Sequence, residues 1–413
     1  MRSLSALLVV LAVTLPGAPA VAAPSDALPA PTTLYLEDFE YGQGATPTWL
    51  TDYTGAPPTS LTYTADPQWL TACNGLLVSA QQPGTIPTGS GCGDTESWTG
   101  LQQLAAALGT WADDTGATNH ALGAYTSADP GADHVLFQTA TPVPLTVADR
   151  FLTFAVDAAA TSCHVEHPLL EFALLDGDTV IPLEATPIDP CANPAATIGI
   201  AKVGRYTADR AILFTGSSVG IRMTNAQESG RGNDGAVDNI RIVDATPRLA
   251  WTPAPAAGPP GTATTLTLTV TNTSERGAKP GWSLTDTLPA GLTFAGAGGT
   301  TDCPDGIVDA PPGGNQLTVT GNLDEGQRSC AVTLSVVAGA AGSYQVCAPG
   351  VLVGLVAPGC AAVTFAAPGG PALAATGFRF VDAAATALVL LLAGLVLVRF
   401  AARRRTGPGR TGS

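Results

Sequence analysis

Few side chains in this sequence are placed to do chemistry. His164-Val165-Glu166-His167 is the one run that sets histidine beside a carboxylate. On a strand, His164 and Glu166 share a face and His167 opposes them. The spacing is neither HExxH nor HxxEH, so it lacks the helical pair of histidines that a zinc protease needs. Cys163 adjoins it, which points to a solvated loop under a disulfide. Glycan hydrolysis needs two carboxyls about 5 to 10 Å apart. Glu166, Glu171, Asp176 and Asp178 could supply such a pair, but no ExDxE-type run accompanies them. No G-x-S-x-G, P-loop or thiol–histidine motif occurs either. The reading is a non-catalytic protein with no catalytic residue assigned; a surface glycan hydrolase is the enzyme alternative.

Eight cysteines, at 73, 92, 163, 191, 303, 330, 347 and 360, fall four and four about a Pro-rich stretch at 252–260. An even count in an exported chain predicts disulfides. Four cysteines in each half allow three pairings. The simplest is sequential: Cys73–Cys92, Cys163–Cys191, Cys303–Cys330 and Cys347–Cys360. A zinc site is disfavoured because no CxxC is present.

The elements that must carry these residues are mostly strands. Short apolar runs bounded by Gly, Pro, Asp and Ser recur at 34–39, 134–137, 151–156, 169–175, 211–214 and 237–243. In the last, Ile240 and Ile242 share one face while Asn239 and Arg241 share the other. Residues 102–108 form the one helix expected. Farther on, Thr264 to Asn272 alternates cleanly, with Leu266, Leu268 and Val270 on one face. Cys330, Val332, Leu334 and Val336 likewise face inward. The predicted fold is all-β: a jelly-roll-like β-sandwich over 31–246, an immunoglobulin-like β-sandwich over 247–365, and a C-terminal transmembrane helix. Trp49, Trp69, Trp98 and Trp111, with Tyr53, Tyr63 and Tyr125, crowd the first third. They form either a core or a platform on which sugars stack.

The two ends set an address. Arg2, an apolar run from Leu7 to Leu15 and Ala20-Val21-Ala22 make a secretory signal peptide over 1–22, followed by a linker over 23–30. Ala383 to Val398 carries no charge, and extension to Ala402 gives about 30 Å of helix, enough to cross a bilayer. The span is placed at 378–402. Arg403, Arg404, Arg405 and Arg410 follow in a basic tail at 403–413, after Arg399, and clustered arginine stays cytoplasmic. Just ahead, in a linker over 366–377, stands Leu373-Ala374-Ala375-Thr376-Gly377. Pentapeptide, apolar span and basic tail together resemble a cell-wall sorting signal of the LAxTG type used by class E sortases. That resemblance implies a sortase as partner, cleavage between Thr376 and Gly377, and transfer to a peptidoglycan precursor. A plain single-pass membrane protein is the alternative.

Glu37-Asp38-Phe39-Glu40 at the start, and Gly235 to Ile242 at the close, resemble the two ends of carbohydrate-binding-module or lectin-like jelly rolls. There the first and last strands adjoin and a structural calcium often sits between them. The resemblance implies Asp38, Glu40 and Asp238 as its ligands, with Asp234 in reserve. The same acids serve equally well as solvated strand ends. Gly261 to Asn272, Leu284-Thr285-Asp286-Thr287-Leu288-Pro289-Ala290-Gly291-Leu292 and Leu323 to Leu334 are similar to domain of unknown function 11, an immunoglobulin-like repeat of bacterial surface proteins.

Of the 33 acidic and 18 basic residues, 32 and 11 lie in 23–376, giving that stretch a net charge near −21. Nucleic acid is thereby excluded as a default partner, since phosphate binding needs Lys and Arg. The function expected is a cell-surface protein, adhesive or binding a glycan or a neighbouring protein, with a structural coat component as the duller alternative.

Overall fold

The structure is a computed structural model that describes residues 27–366 except 72, 84–91, 113–114, 127–128 and 255–257. The stretches read in the sequence as a signal peptide, a sorting motif (Leu373–Gly377), a membrane span (378–402) and a basic tail lie outside the described residues. Among the described residues no helix is long and apolar enough to cross a membrane.

The chain is all-β and builds two sandwiches. The first faces a nine-stranded sheet against a six-stranded one. Strand Arg150–Thr161 lies at the centre of the larger sheet, between Ala201–Thr207 and Asp234–Asp244. The opening strand Thr32–Glu37 pairs with the closing strand Asp234–Asp244, so both ends of the domain meet. The smaller sheet runs Thr179–Pro182, Leu170–Asp176, Ser218–Asn225, His134–Thr139, Tyr63–Thr64. Between the sheets, Phe154 and Phe172 stack with centroids 4.4 Å apart.

Strand Arg150–Thr161 runs five residues past the apolar stretch legible in the sequence, through Asp157-Ala158-Ala159-Ala160-Thr161. Alanine is a poor strand former, so the run gave no signal. It is strand because both faces are covered. Leu152, Phe154, Val156 and Ala158 meet the sandwich core. On the opposite face Phe151 meets the second sandwich, and Ala159 meets a helix.

That helix, Thr95–Ala112, is longer than the segment 102–108 expected. Asp94 caps it: its Oδ1 accepts from the Ser97 amide at 2.7 Å and its Oδ2 from the Ser97 hydroxyl at 3.0 Å. Trp98, Leu101, Leu104, Ala105 and Leu108 recur at helical spacing and are buried against Ala121, Ala159 and Ala236 of the sheet. These small residues let the helix come close. Gly123 is the extreme, since a Cβ there would stand 2.5 Å from Leu101 Cδ2.

In the second sandwich, Leu266, Leu268 and Val270 are fully buried and face Leu334, Val332 and Cys330 across the pair Thr264–Thr271 and Ser329–Ala338. The facing sheet supplies Trp282, Leu284, Leu317 and Val319. Strand Lys279–Thr287 stops at the Pro289–Gly291 turn, where Leu292 N donates to Pro289 O at 3.0 Å and Gly291 has φ 89°. The four disulfides pair sequentially: Cys73–Cys92, Cys163–Cys191, Cys303–Cys330 and Cys347–Cys360. Such a set belongs to an oxidising, extracytoplasmic compartment.

The Pro-rich stretch at 252–260 does not divide the sandwiches. It joins two strands of the second one, Arg248–Pro253 and Thr264–Thr271. The passage between sandwiches is the short step from Asp244 to Arg248, and it is held closely. Phe151, Ala211 and Ala245 of the first sandwich are buried within the core of the second. Gly354 N donates to Asp149 O at 2.9 Å, Val356 N to Pro247 O at 2.9 Å, and Thr273 Oγ1 to Ala245 O at 3.0 Å.

Candidate functional site

The face of the six-stranded sheet turned away from the core holds a groove. Leu170, Phe172 and Leu174 of one strand, and Val219, Ile221 and Met223 of its neighbour, point into the core. Alternation therefore turns Glu171 and Ala173, with Arg222 and Thr224, to the other face. The register sets Arg222 opposite Ala173 and Thr224 opposite Glu171. On the far side Pro182 pairs with Ala173, the last ladder position of the edge strand.

There the edge strand leaves. Leu183 N still reaches Phe172 O at 3.1 Å, and the chain returns only at the Leu170–Ile188 bridge. Glu184 folds into the gap, where its Oε2 accepts from the Phe172 amide at 3.0 Å. The result is a cavity of about 250 Å3, lined by Glu171, Glu184, Thr186, Thr224 and Arg222 over Ala173, Val180 and Pro182. An apolar floor with a few converging polar groups is the usual make-up of a small-ligand site.

Two features give the groove chemical character. Glu184 Oε1 is buried and has no hydrogen-bond partner. Burial, reinforced by Asp209 and Glu171, pushes its carboxyl up to about 8, so it keeps its proton at neutral pH. Arg222 Nε donates to Gln138 Oε1 at 2.6 Å, which fixes the guanidinium over the face. Its other nitrogens make no hydrogen bond among the described residues.

Of the acids singled out in the sequence, Glu171 alone lines this groove. Asp176 and Asp178 are exposed around the Leu170–Asp176/Thr179–Pro182 turn. Glu166 Oε2 accepts from Gln227 Nε2 at 3.1 Å. His167 Nδ1 pairs with Asp189 at 2.8 Å beside the Cys163–Cys191 bridge, and His164 is exposed. Glu184 was missed, because an isolated acid after a short strand carries no pattern.

The acids expected to hold calcium have other partners. Glu40 Oε2 accepts from His120 Nδ1 at 2.9 Å, and its Oε1 accepts from the His120 amide at 2.5 Å. Asp238 is buried; its Oδ2 accepts from Asn119 Nδ2 at 3.0 Å and its Oδ1 from the Asn239 amide at 2.6 Å. Desolvation raises its pKa well above the ordinary carboxylate range. Asp38 accepts from the Glu40 amide, and Asp234 from the Thr126 amide. Glu40 and Asp238 thus hold the start of strand His120–Tyr125 from two sides. Among the described residues, the triads whose ligand atoms lie within 4.8 Å of one another are His167–Asp189–Cys191 and Asp302–Cys303–Cys330. Both include sulfur already spent in a disulfide.

Two further polar clusters are buried. Glu37 accepts from the Tyr53 hydroxyl at 2.9 Å, from the Phe39 amide at 2.9 Å and from the Tyr63 hydroxyl, which also meets the Tyr35 hydroxyl at 2.7 Å. Burial raises all four of these ionisable side chains. Asp157, fully buried, takes a bidentate pair from Arg205 Nε and Nη2 at 2.7 and 2.8 Å. Tyr53, Tyr63, Trp69 and Trp98 are all core, and Trp49, Trp111 and Tyr125 are partly buried against the helix cluster. The sequence platform of aromatics is therefore interior: flat apolar rings gain more from burial than from water.

His134 carries a pH dependence. Nδ1 lies 2.7 Å from Asp66 Oδ2 and Nε2 lies 2.5 Å from Pro130 O. Both partners accept, so both ring nitrogens donate and the imidazolium is favoured. The Asp66 bond raises the pKa of His134, while the Gln68 amide, then the His134 bond, lower that of Asp66. The His contribution is full below its unfolded pKa near 6.5 and fades as pH rises through the higher folded value. The Asp contribution is lost as pH falls below about 4. Glu184, whose carboxyl is raised to about 8, also costs stability as pH rises over this range, so the share due to His134 is read as a difference. In urea unfolding between pH 6 and 8.5 the wild type is expected to lose a fraction of a kcal/mol more than His134→Ala.

Residues 247–352, nearly the whole of the second sandwich, match the family model described as a domain of unknown function (DUF7933). They include the stretch read above as similar to domain of unknown function 11. No curated protein matches. Among solved structures, the chain is similar to the N-terminal domain of the Streptococcus gordonii adhesin Sgo0707, at 10% identity and a TM-score of 0.27. The match covers 57% of this chain and 61% of that one, so the chain spans less than two thirds of the adhesin domain.

Proposed function

We propose that the protein is an exported surface protein that binds a glycan or a neighbouring protein without transforming it. The first sandwich, read as jelly-roll-like, makes the contact. The second, read as immunoglobulin-like, stands between it and the envelope. The LAxTG motif, the apolar span and the arginine tail support retention at the membrane and sortase transfer of Thr376 to a peptidoglycan precursor. Disulfides in both sandwiches support an extracytoplasmic site of action.

The groove carries this reading: about 250 Å3 with Glu171, Glu184 and Arg222 converging over an apolar floor. A glycan array probed with the full chain is the test. Arg222→Ala removes the only cation among the described residues that line the cavity, and it is expected to weaken whatever binds by tenfold or more with unchanged melting. If no glycan binds, or if Arg222→Ala binds like the wild type, the groove is not the contact site. The second reading, a surface glycan hydrolase, draws on the same place, since a carboxyl that keeps its proton and a second carboxyl share one groove. Release of reducing ends from a bound glycan would decide for it.

A further inference from the structure

We propose that Glu184 meets a bound sugar ring as a hydrogen-bond donor, so that the groove holds its ligand at neutral and acidic pH and releases it in alkali. This rests on the reading of the groove as a ligand site and adds how the site reads and drops its ligand.

The argument begins with the two oxygens of one carboxyl. Oε2 accepts the Phe172 amide at 3.0 Å, so it is the oxygen that carries lone pairs inward to the sheet edge. Oε1 is buried, belongs to a side chain lining the cavity, and has no partner. A buried polar atom left unpaired is costly to the folded protein. Such a cost is recovered when a ligand supplies the missing partner.

The groups facing Glu184 decide which form it takes. From its own sheet come Glu171 and Arg222. From the segment after Thr207 come Asp209, which accepts from the Ala185 amide at 3.2 Å, and Arg210, whose Nη2 is spent on Pro182 O at 2.9 Å. The two acids disfavour a further negative charge. Arg222 is turned to Gln138 and makes no bond to Glu184. Burial and these acids together keep the proton on, up to about pH 8. With Oε2 engaged as acceptor, the proton belongs on Oε1.

The groove then offers a donor at Glu184, an acceptor at Glu171, further donors at Arg222 and the two-way hydroxyls of Thr186 and Thr224. Ala173, Val180 and Pro182 provide an apolar floor. Donors and acceptors together over an apolar floor suit a neutral pyranose, with hydroxyls around its rim and C–H groups on its face. A cationic ligand would instead call for Glu184 ionised.

The test is saturation-transfer NMR of the full chain with methyl glycosides of hexoses and N-acetylhexosamines, at pH 6.5 and 9.5. Wild-type affinity is expected to fall about thirtyfold between them, following the protonated fraction of a group titrating near 8. Glu184→Gln, whose carboxamide donates without titrating, should bind at both pH values alike. Glu184→Ala should lose binding at both. Equal wild-type affinity at the two pH values, or loss of binding in Glu184→Gln, overturns the donor role and leaves the groove standing. Absence of binding by every glycoside at both pH values overturns the donor role and the groove together.

Discussion

Phe151→Ala should lower stability by about 3–5 kcal/mol and split one melting transition into two. The residue is odd by address. Its neighbours Leu152 and Phe154 pack in the first sandwich, yet its own ring is fully buried in the core of the second, with Ala211 and Ala245. Gly354 of the second sandwich, at φ 64°, lies so close that a Cβ there would stand 2.6 Å from the ring. Removing the ring leaves a cavity on the joint, because the backbone bonds Gly354–Asp149 and Val356–Pro247 hold both walls in place. Those bonds alone exclude little water, so the sandwiches should melt separately. Differential scanning calorimetry measures this directly. A variant that melts like the wild type in a single transition would show that the ring does not couple the two units.

Asp157→Ala is expected to cost about 3–5 kcal/mol. The carboxylate is fully buried and takes two bonds from Arg205, with Arg241 at 3.8 Å. Taking it away strands positive charge in a poorly solvated place. Arg205 is 47% exposed and can turn to water, but Arg241 is only 19% exposed and depends on Asn239 for its remaining bonds. Burial and the nearby Arg205 already depress the Arg241 pKa. The double variant Asp157→Leu with Arg205→Met removes one charge of each sign and should recover part of the loss. Urea unfolding compares them; a single variant within about 1 kcal/mol of wild type would mean that water reaches this pair.

What could be read in advance followed from half-burial. Thr264–Thr271 has one wet face and one dry face, so period two is written in its residue types, and Leu266, Leu268 and Val270 are buried as expected. The disulfides themselves were legible from an even cysteine count, but three pairings in each half stayed open, and the sequential one found here was only the simplest of them. Strand Arg150–Thr161 was legible only where it is bulky; its alanine stretch is strand because a helix needs small residues beneath it. The helix in turn was shortened because Asp94 looks like any loop acid until its cap to Ser97 is seen. Counting aromatics located them without telling which way they point. The groove was illegible for a different reason. Glu171 faces Thr224 across the ladder, and Glu184 arrives where an edge strand departs, so the pair exists only in three dimensions.

The bridge Cys347–Cys360 has a mechanical meaning. It closes the loop between the paired strands Gly342–Val346 and Ala361–Phe365, a loop that itself carries the short strand Val351–Val353. Tension applied beyond residue 366 can unzip only the five residues after Cys360, a travel of roughly 20 Å. At that point the load crosses the sulfur atoms to Cys347, so the bridge sets the length of slack given up before force reaches the chain ahead of it.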